Sequence, residues 1–440
     1  MTAAPGELRR SELHSSLADP VMDTMNFLNE ITMRYPEAIS FAPGRPYDGF
    51  FDTTQVFDHL HRYLGHLAER GLSPDQVRES VFQYGPAAGR IRDLIAGSLL
   101  ADEGIDVPPE SVVVTVGCQE AMFLALRALV SGRDDVVLTT SPCYVGITGA
   151  ARLLDIELVP VRERGSGLFP ADLENAVARE RALGRRPKAV YVMPDHSNPS
   201  GVSMPLDVRR DLLDLAGRQD LLILEDSPYR LAGTARRLPT LKSLDRDRRV
   251  VHLGSYSKTL FPGARVGFAV ADQTVVDPAG GRGLLADELA KIKSMITVNT
   301  PSLSQAVVAG ALLACDGRLS EFNRDTSAYY QDSMRFTLKC LERRFPASHR
   351  ATAGVRWNAP AGGFFIFLRV PFHADNAALK RSAQDFGVIW TPMSYFYPRG
   401  EGGHGIRLST SYLTHEDIEE GVSRLGEFIE SPMAPGEPGA

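Results

Sequence analysis

Residues 255–267 read Ser-Tyr-Ser-Lys-Thr-Leu-Phe-Pro-Gly-Ala-Arg-Val-Gly and follow an apolar run at 250–254. The apolar run predicts a buried strand, so Lys258 lies just beyond a strand end. A lone Ser-x-Lys more often belongs to a solvated loop, but here the Pro-Gly-x-Arg-x-Gly continuation adds Arg265. A nucleophilic amine beside serine and arginine groups that can hold an anionic phosphate suits a Schiff-base site. We therefore predict that Lys258 is catalytic and that pyridoxal 5'-phosphate is the cofactor.

The composition of the 440-residue chain is that of an ordinary globular protein, with 43% hydrophobic and 23% charged residues. Its formal net charge of −6 gives no general reason to bind nucleic acid or anionic lipid. No apolar run approaches the roughly 18 residues of a membrane span. The four cysteines and ten histidines show no metal-ligand spacing. We expect a cytoplasmic protein with no metal, nucleic-acid or membrane partner.

Short apolar runs alternate with helical segments in the middle of the chain, which predicts an α/β fold with a mostly parallel sheet covered on both faces. The predicted strands are 112–116, 136–138, 189–193, 221–224 and 250–253. Beyond about residue 325 the spacing changes to a long helix through 344, a strand at 363–368 and a helix at 415–429. This second pattern is typical of a smaller α+β domain.

The predicted division of the chain has five parts. They are an N-terminal arm (1–37), the first part of the small domain (38–74), a large cofactor-binding domain (75–320), the rest of the small domain (321–430) and a disordered tail (431–440). The arm contains an amphipathic stretch, which we expect to pack on another surface such as a partner subunit. The tail is rich in proline and glycine, and we expect it to be disordered.

Three candidate residues follow three successive strands, about one βα repeat apart: Asn198, Asp226 and Lys258. In open parallel sheets, ligands bind beyond the carboxyl ends of the strands, so these residues should converge on one site. A carboxylate at Asp226 can pair with a pyridine nitrogen and keep it protonated. Asn198 and Tyr229 can hydrogen-bond the phenolate oxygen of the ring. Taken singly, Asn-Pro is a common turn and Asp before Ser-Pro a common cap, so the prediction depends on the joint spacing.

A phosphate site is expected where the strand at 112–116 turns through Gly117, Cys118 and Gln119 into a helix, because amides at a helix N-terminus attract phosphate. The hydroxyls of Ser255 and Ser257 and the guanidinium of Arg265 would complete this site. Tyr144 follows the next strand and could stack on the cofactor ring, although a tyrosine packed under a loop is the alternative.

The carboxylate of an amino-acid substrate is best held by a bidentate arginine. Arg407 lies in an apolar, strand-like run, Gly-Ile-Arg-Leu-Ser, where an unpaired charge would be costly. Among the many arginines of the chain, it is the best candidate for this role.

Together these segments resemble the fold-type I pyridoxal-phosphate enzymes, in particular the class I and II aminotransferases, over roughly residues 38–425. The resemblance implies a seven-stranded sheet and a proton shuttle at Lys258. It also implies the cofactor contacts described above and a substrate-carboxylate contact at Arg407. By the same resemblance, Tyr84 in the Tyr-x-x-x-x-Gly pattern reaches the phosphate of a neighbouring subunit, which implies a homodimer with shared sites. Gly44 matches a glycine whose backbone approaches the substrate.

Within that superfamily the chain is similar to the kynurenine and α-aminoadipate branch. It is most similar to the aminotransferases of hydroxyphenylglycine and dihydroxyphenylglycine in glycopeptide-antibiotic pathways. Residues 16–20, 24–30 and 41–47 carry this likeness. The segment 392–397 departs from the usual Pro-Gly-Ser-x-Phe. Its aromatic residues, with Tyr47, Phe50 and Phe51, would suit an aryl side chain, while plain packing is the alternative.

The predicted function is amino transfer between an aromatic amino acid and a 2-oxo acid. Aminoadipate, kynurenine or glutamate as substrate is an alternative, as is another reaction such as β-elimination, decarboxylation or oxidation on the same scaffold. A regulator with an aminotransferase-like domain would need a basic helix-turn-helix extension, which we do not expect here. A nicotinamide-dependent dehydrogenase would need Gly-x-Gly-x-x-Gly at the first strand–helix turn, and residues 117–121 do not supply it.

Overall fold

The computed structural model describes residues 6–165, 167–233, 237–348 and 354–432. Its strands are β1 Ile39–Ser40, β2 Val112–Thr115, β3 Asp135–Ser141, β4 Leu158–Arg164, β5 Gly167–Leu168, β6 Arg186–Val192, β7 Leu222–Asp226, β8 Val250–Ser255, β9 Gly267–Val270, β10 Thr274–Val276, β11 Arg282–Leu284, β12 Arg356–Trp357, β13 Phe365–Arg369, β14 Val388–Ile389, β15 Thr391–Pro392 and β16 Gly405–Ser409.

The helices of the described residues cover the sheets or lie between them. They are α1 Pro20–Arg34, α2 Thr53–Glu69, α3 Pro74–Phe82, α4 Arg92–Glu103, α5 Gly117–Leu129, α6 Val145–Leu153, α7 Pro170–Ala182, α8 Leu206–Arg218, α9 Leu241–Leu244, α10 Leu285–Ser294, α11 Ser302–Ala314, α12 Leu319–Phe322, α13 Arg324–Arg344, α14 Asn376–Phe386 and α15 His415–Glu430. None of these described helices combines the length and the apolar character that a bilayer crossing requires.

The large sheet has the strand order β2-β9-β8-β7-β6-β3-β4-β5. Strands β4, β3, β6, β7 and β8 pair in parallel, while β9 runs antiparallel to both of its neighbours. The prediction of a mostly parallel sheet is confirmed. Seven of the strands match the expected number, and the eighth, β5, is a two-residue antiparallel addition at the edge of the sheet.

Both faces of this sheet are buried, because successive residues of its strands enter two different cores. Val137 and Leu224 pack with α5 and α6 on one face, whereas their neighbours Leu138 and Ile223 pack with α7 and α8 on the other. Adjacent residues of a strand point to opposite faces. A strand that is covered on both faces therefore needs apolar residues at every position, which explains the continuous apolar runs in the sequence.

The second sheet is smaller and has the antiparallel order β12-β13-β16-β15. Its core includes the fully buried rings of Phe345, Trp390 and Phe428, which come from three different parts of the chain. Strand β1 pairs in parallel with β14 and joins residues 39–40 to this half of the molecule. The predicted domain limits stay a prediction. Helix α2, which lies in the segment 38–74 predicted for the small domain, packs on α11 and shares a hydrophobic cluster with β2 of the large sheet.

Helix α1 begins at an N-cap, Asp19, whose carboxylate accepts a hydrogen bond from the Val21 amide at 3.0 Å, and Pro20 occupies its first position. The same carboxylate forms a 2.9 Å ion pair with Arg152 of α6. The amphipathic stretch therefore packs on its own chain, where Val21 and Phe27 find apolar neighbours, and needs no partner subunit for this contact. Residues 433–440 of the predicted tail lie outside the described residues.

The contact between α2 and α11 provides a test of this packing. A Cβ atom on Gly310 of α11 would collide with the backbone carbonyl of His59 on α2. Gly310→Ala should therefore lower the free energy of unfolding by roughly 1–3 kcal/mol, despite the better helix propensity of alanine. The matched control is Gly65→Ala on α2, where a Cβ meets open space. It should stabilise the protein by up to about 1 kcal/mol in the same denaturant titration. Equal effects of the two variants would contradict this close approach.

Candidate active site

A cavity of about 660 Å³ opens at the carboxyl edge of the large sheet. The parallel order of β6, β7 and β8 brings the residues that follow these strands to the same edge. Twelve of the predicted site residues line the cavity: Gly44, Cys118, Gln119, Tyr144, Asn198, Asp226, Tyr229, Ser255, Ser257, Lys258, Arg265 and Arg407. The other two do not line the cavity: Gly117 lies against the guanidinium of Arg265, and the side chain of Tyr84 is 81% exposed.

Lys258 is half-buried, and its Nζ donates a 2.7 Å hydrogen bond to the carbonyl of Gly44. Burial, with smaller effects from the nearby cations Arg265 and Arg407, lowers the pKa of Lys258 from 10.5 to about 8. Desolvation disfavours a charged amine, and like charges add to the effect. A substantial fraction of Lys258 is therefore a neutral, nucleophilic amine near physiological pH.

Asp226 ends strand β7 and is 2% exposed. Its Oδ2 accepts a 2.6 Å hydrogen bond from the Tyr191 hydroxyl, and its Oδ1 accepts one from the Cys118 thiol at 3.3 Å. Burial raises the pKa of Asp226 to about 6, although both hydrogen bonds act in the opposite direction. Tyr191 was missed by the sequence analysis. The sequence feature that could have identified it is a single tyrosine in an otherwise apolar strand, because a buried tyrosine hydroxyl usually has a hydrogen-bond partner.

Asn198 connects two other predicted residues. Its side-chain amide donates a 3.3 Å hydrogen bond to the Tyr229 hydroxyl, and its Oδ1 accepts one from Arg407 at 2.7 Å. Burial raises the pKa of Tyr229, so this phenol stays protonated and can donate into the cavity. The chain Arg407–Asn198–Tyr229 therefore joins the predicted carboxylate site to the predicted phenolate site.

The loop that carries Asn198 is held by a buried ion pair. Arg209 of α8 is fully buried and contacts Asp195 at 2.6 Å. Its guanidinium also donates to the carbonyls of Pro194 and Met204, which lie on either side of the loop. A buried charge that lacks such partners would be costly, so these contacts fix one conformation of residues 194–204.

Arg407 of β16 is 5% exposed and comes from the smaller sheet. Besides Asn198, its guanidinium donates to the Ala42 carbonyl at 2.5 Å, while its Nε has no hydrogen-bond partner among the described residues. Its Cζ lies 4.4 Å from the ring centroid of Phe365 and 4.8 Å from that of Phe396. Burial lowers the pKa of Arg407 to about 10. A buried cation held by neutral groups suits an anionic ligand.

The opposite part of the cavity also suits an anion. Arg265 donates to the Ser257 hydroxyl at 3.3 Å, and the Ser257 amide donates to the Ser255 hydroxyl at 3.2 Å. Gly117 begins α5 with a φ of +71°, and a Cβ there would collide with the guanidinium of Arg265. Only glycine combines this left-handed backbone with room for the arginine, so the strand–helix turn and Arg265 can lie together.

The lining of the cavity also includes residues that the sequence analysis did not select, among them Thr24, Thr32 and Met33 of α1, Arg45 and Tyr412. The three residues of α1 reach the cavity because of how this helix lies across the fold, which residue pattern alone does not determine.

The structure divides the predicted aromatic cluster. Phe396 lines the main cavity beside Arg407, whereas Tyr47, Phe50 and Phe51 line a separate cavity of about 260 Å³ that also touches Lys258. The two cavities both touch Lys258, and an aryl-binding role for these residues stays a prediction. Tyr47 also packs on Tyr329 of α13, with ring centroids 4.6 Å apart.

The model of the family "Aminotransferase class I and II" matches residues 73–425. The chain belongs to this family. A relative from Amycolatopsis orientalis, (S)-3,5-dihydroxyphenylglycine transaminase, is 48% identical over 96% of this chain and 95% of its own length. The similarity to this aminotransferase relative therefore extends over almost the whole chain.

Two solved structures are similar to this aminotransferase in fold. Kynurenine aminotransferase from Pyrococcus horikoshii is 25% identical with a TM-score of 0.79, and 96% of each chain is covered. The α-aminoadipate aminotransferase of Thermus thermophilus, complexed with N-(5'-phosphopyridoxyl)-L-leucine, is 29% identical with a TM-score of 0.78. That comparison covers 96% of this chain and 98% of the Thermus chain. The predictions of fold type I and of a pyridoxal-phosphate aminotransferase are confirmed.

The cavity fits pyridoxal phosphate by its own chemistry. Its lining has one carboxylate, Asp226, and four cations, which are Arg45, Lys258, Arg265 and Arg407. This excess of positive charge suits a phosphate together with a substrate carboxylate. When bound, the cofactor supplies an electron sink for the bonds at the substrate Cα.

The lowered pKa of Lys258 gives a testable pH dependence for loading of the apoenzyme. Only the neutral amine reacts, so the rate of borohydride-reducible attachment at Lys258 should rise with pH to a midpoint near 8, rather than near 10.5 for a solvated lysine. Arg407→Met removes a nearby cation and should raise this midpoint. Arg318→Met, at an exposed residue outside the cavity, is the control. An unchanged midpoint in Arg407→Met would refute the electrostatic argument.

Proposed function

We propose that this aminotransferase moves the amino group between an arylglycine, such as 4-hydroxyphenylglycine or 3,5-dihydroxyphenylglycine, and a 2-oxo acid. The observation that carries the proposal is the ring of Phe396, which lines the cavity and lies against the Arg407 guanidinium at the proposed carboxylate site. In an arylglycine the ring is bonded directly to Cα. A substrate whose carboxylate is held at Arg407 would therefore place its ring close to Phe396. The 48% identity to a dihydroxyphenylglycine transaminase supports the same substrate class.

Each site residue has a task in this proposal. Arg407 binds the substrate carboxylate, and Arg265 with Ser255 and Ser257 binds the cofactor phosphate. Asp226 would hold the pyridine nitrogen of the cofactor, and Tyr144 would pack on its ring. Cys118 and Gln119, in the first turn of α5, would also contact the cofactor.

Lys258 is the base that accepts and returns the proton at the substrate Cα. Its lowered pKa places it near the range in which a general base works best. Asn198 and Tyr229 would donate hydrogen bonds to the phenolate oxygen of the cofactor, and the backbone of Gly44 would approach the substrate. The same residues would serve both half-reactions, the first with the amino-acid substrate and the second with the 2-oxo acid.

A second substrate class, acidic amino acids such as aminoadipate or glutamate, has one specific observation in its favour. Arg45 lines the cavity, with its Cζ 4.6 Å from the ring centroid of Tyr412, and it forms an exposed ion pair with Asp48 at 3.5 Å. A cation at that position could pair with a side-chain carboxylate. The similarity to an α-aminoadipate aminotransferase is consistent with this alternative.

A half-reaction screen with the loaded enzyme separates these candidates. Arylglycines should bleach the visible cofactor band fastest, aromatic amino acids more slowly, and glutamate or aminoadipate slowest, in stopped-flow absorbance. A 2-oxo acid should restore the band, because amino transfer is reversible. Release of ammonia without return of the band would identify elimination in place of transfer. If aminoadipate reacts fastest and Arg45→Met removes that preference, the acidic-substrate alternative is correct.

We also propose that the enzyme is a homodimer in which Tyr84 reaches the cofactor phosphate of the partner subunit. Tyr84 and Phe82 are 81% and 77% exposed, which is unusual for two aromatic residues so close in sequence. This surface suits a second copy of the chain, as the family resemblance implies.

Subunit complementation tests the shared site. Lys258→Ala and Tyr84→Ala should each lose most of the activity as pure dimers. Unfolding and refolding a mixture of the two should restore part of the activity, because a mixed dimer contains one site with both native residues. A mixture of Lys258→Ala with Lys258→Arg is the control and should stay inactive. Without recovery in the first mixture, Tyr84 does not act across subunits.

We further propose that the enzyme works in the cytoplasm, in a pathway that supplies arylglycines for antibiotic biosynthesis. Its four cysteines, Cys118, Cys143, Cys315 and Cys340, are free thiols. Free thiols are consistent with a reducing compartment. The proposed pathway depends on the substrate class alone. If arylglycines do not react in the half-reaction screen, the pathway is wrong.

A further inference from the structure

The Asp226 carboxylate receives one hydrogen bond at each oxygen. Cys118, in the first turn of α5, donates to Oδ1, and Tyr191 of β6 donates to Oδ2. We propose that Cys118 and Tyr191 are positioning residues for amino transfer: their two hydrogen bonds hold the Asp226 carboxylate so that it meets the pyridine nitrogen as an anion. This inference rests on the proposed role of Asp226 and assigns a task to two residues that do not themselves react.

The need for these donors follows from the burial of Asp226. An ionised carboxylate is costly in a low-dielectric interior unless hydrogen bonds compensate it. Burial raises the pKa of Asp226 to about 6, while the hydrogen bonds from Tyr191 and Cys118 and the electrostatic effect of His252 act to lower it. Loss of the two donors would therefore raise the pKa of Asp226 further and favour the protonated carboxyl. The proton between Asp226 and the pyridine nitrogen would then lie on the carboxyl, and the ring would lose the positive charge that makes it an electron sink.

Both donors are suited to keep their protons. Burial and the negative charge of Asp226 raise the pKa of Tyr191 and of Cys118 well above their ordinary values. A phenol and a thiol that stay protonated can act only as donors toward a carboxylate. They also come from elements on different sides of β7, so together they fix the plane of the carboxylate. A carboxylate has about four lone-pair sites, which leaves Asp226 able to accept a further donor from the cavity.

Other charged and titratable groups surround Asp226. Glu225 and His252 act on its charge from β7 and β8, and Tyr144 and Tyr229 interact with it across the cavity. The carboxylate of Glu225 is already occupied by His252 at 3.0 Å and by two backbone amides of α9. Among the described residues, the hydrogen bonds to the Asp226 carboxylate come from Cys118 and Tyr191 alone.

The test reads the ring nitrogen directly. Holoenzymes are loaded with pyridoxal phosphate labelled with ¹⁵N in the ring, and the ¹⁵N chemical shift reports whether that nitrogen is protonated. The variants are Tyr191→Phe, Cys118→Ala and Cys118→Ser. Matched controls are Tyr63→Phe and Cys143→Ala, which change a buried tyrosine and a buried cysteine outside the cavity lining. Thermal unfolding and reducible attachment at Lys258 check that each variant is folded and loaded.

Wild-type enzyme should show a protonated nitrogen, and Tyr191→Phe should move the shift toward the unprotonated value. The turnover number kcat should fall roughly ten- to a hundredfold in Tyr191→Phe, as expected for loss of a hydrogen bond to a charged group. The KM for the amino acid should change by less than about twofold, because Arg407 is untouched. Cys118→Ala should give a smaller change in the same direction. Cys118→Ser keeps a donor and should resemble wild type, as should both controls.

Two failures have different meanings. If wild-type enzyme shows a protonated nitrogen and folded Tyr191→Phe and Cys118→Ala show the same shift, the positioning role of these residues is wrong while the role of Asp226 stands. If wild-type enzyme itself shows an unprotonated nitrogen, the proposed role of Asp226 fails. If Cys118→Ser loses as much as Cys118→Ala, the thiol acts through its volume and not through its hydrogen bond.

Discussion

Burial of charged side chains at one edge of the large sheet is the constraint on which the rest of the site depends. Lys258, Asp226 and Arg407 each have a pKa shifted toward the neutral form, and burial is the largest cause in all three. The fold therefore leaves these groups poorly compensated when only protein surrounds them. A cofactor with a phosphate and a pyridine ring, together with a substrate carboxylate, supplies the missing opposite charges and hydrogen bonds.

The site also joins the two sheets of the molecule. Arg407 belongs to the smaller sheet but donates to Asn198, which follows a strand of the large one. Asn198 in turn donates to Tyr229, and the loop that carries it is fixed by the buried pair of Arg209 and Asp195. The proposed carboxylate site at Arg407 is thereby coupled through hydrogen bonds to the proposed cofactor contacts, Asn198 and Tyr229, although Arg407 comes from a distant part of the chain.

Much of this arrangement could be predicted from the sequence because the signals were local. Continuous apolar runs identified the strands, and their spacing identified Asn198, Asp226 and Lys258 as neighbours at one edge. Other features depended on contacts between distant segments. The aromatic residues at 47–51 line a second cavity, apart from Phe396, and Tyr47 stacks on Tyr329. The amphipathic stretch of the arm is a helix on its own chain, bound by the ion pair of Asp19 and Arg152.

The sequence by itself determined the strand pattern, the family and the chemical types in the site, since periodicity and motif spacing are properties of neighbouring residues. Only the tertiary structure decided which groups touch. In the sequence, Tyr191 belongs to an apolar strand and Cys118 to a strand–helix turn. Only the structure shows that the hydroxyl of Tyr191 and the thiol of Cys118 both donate to Asp226. The physical reason is that a residue pattern encodes which face of an element is buried, whereas the partner across that face is set by the packing of the whole chain.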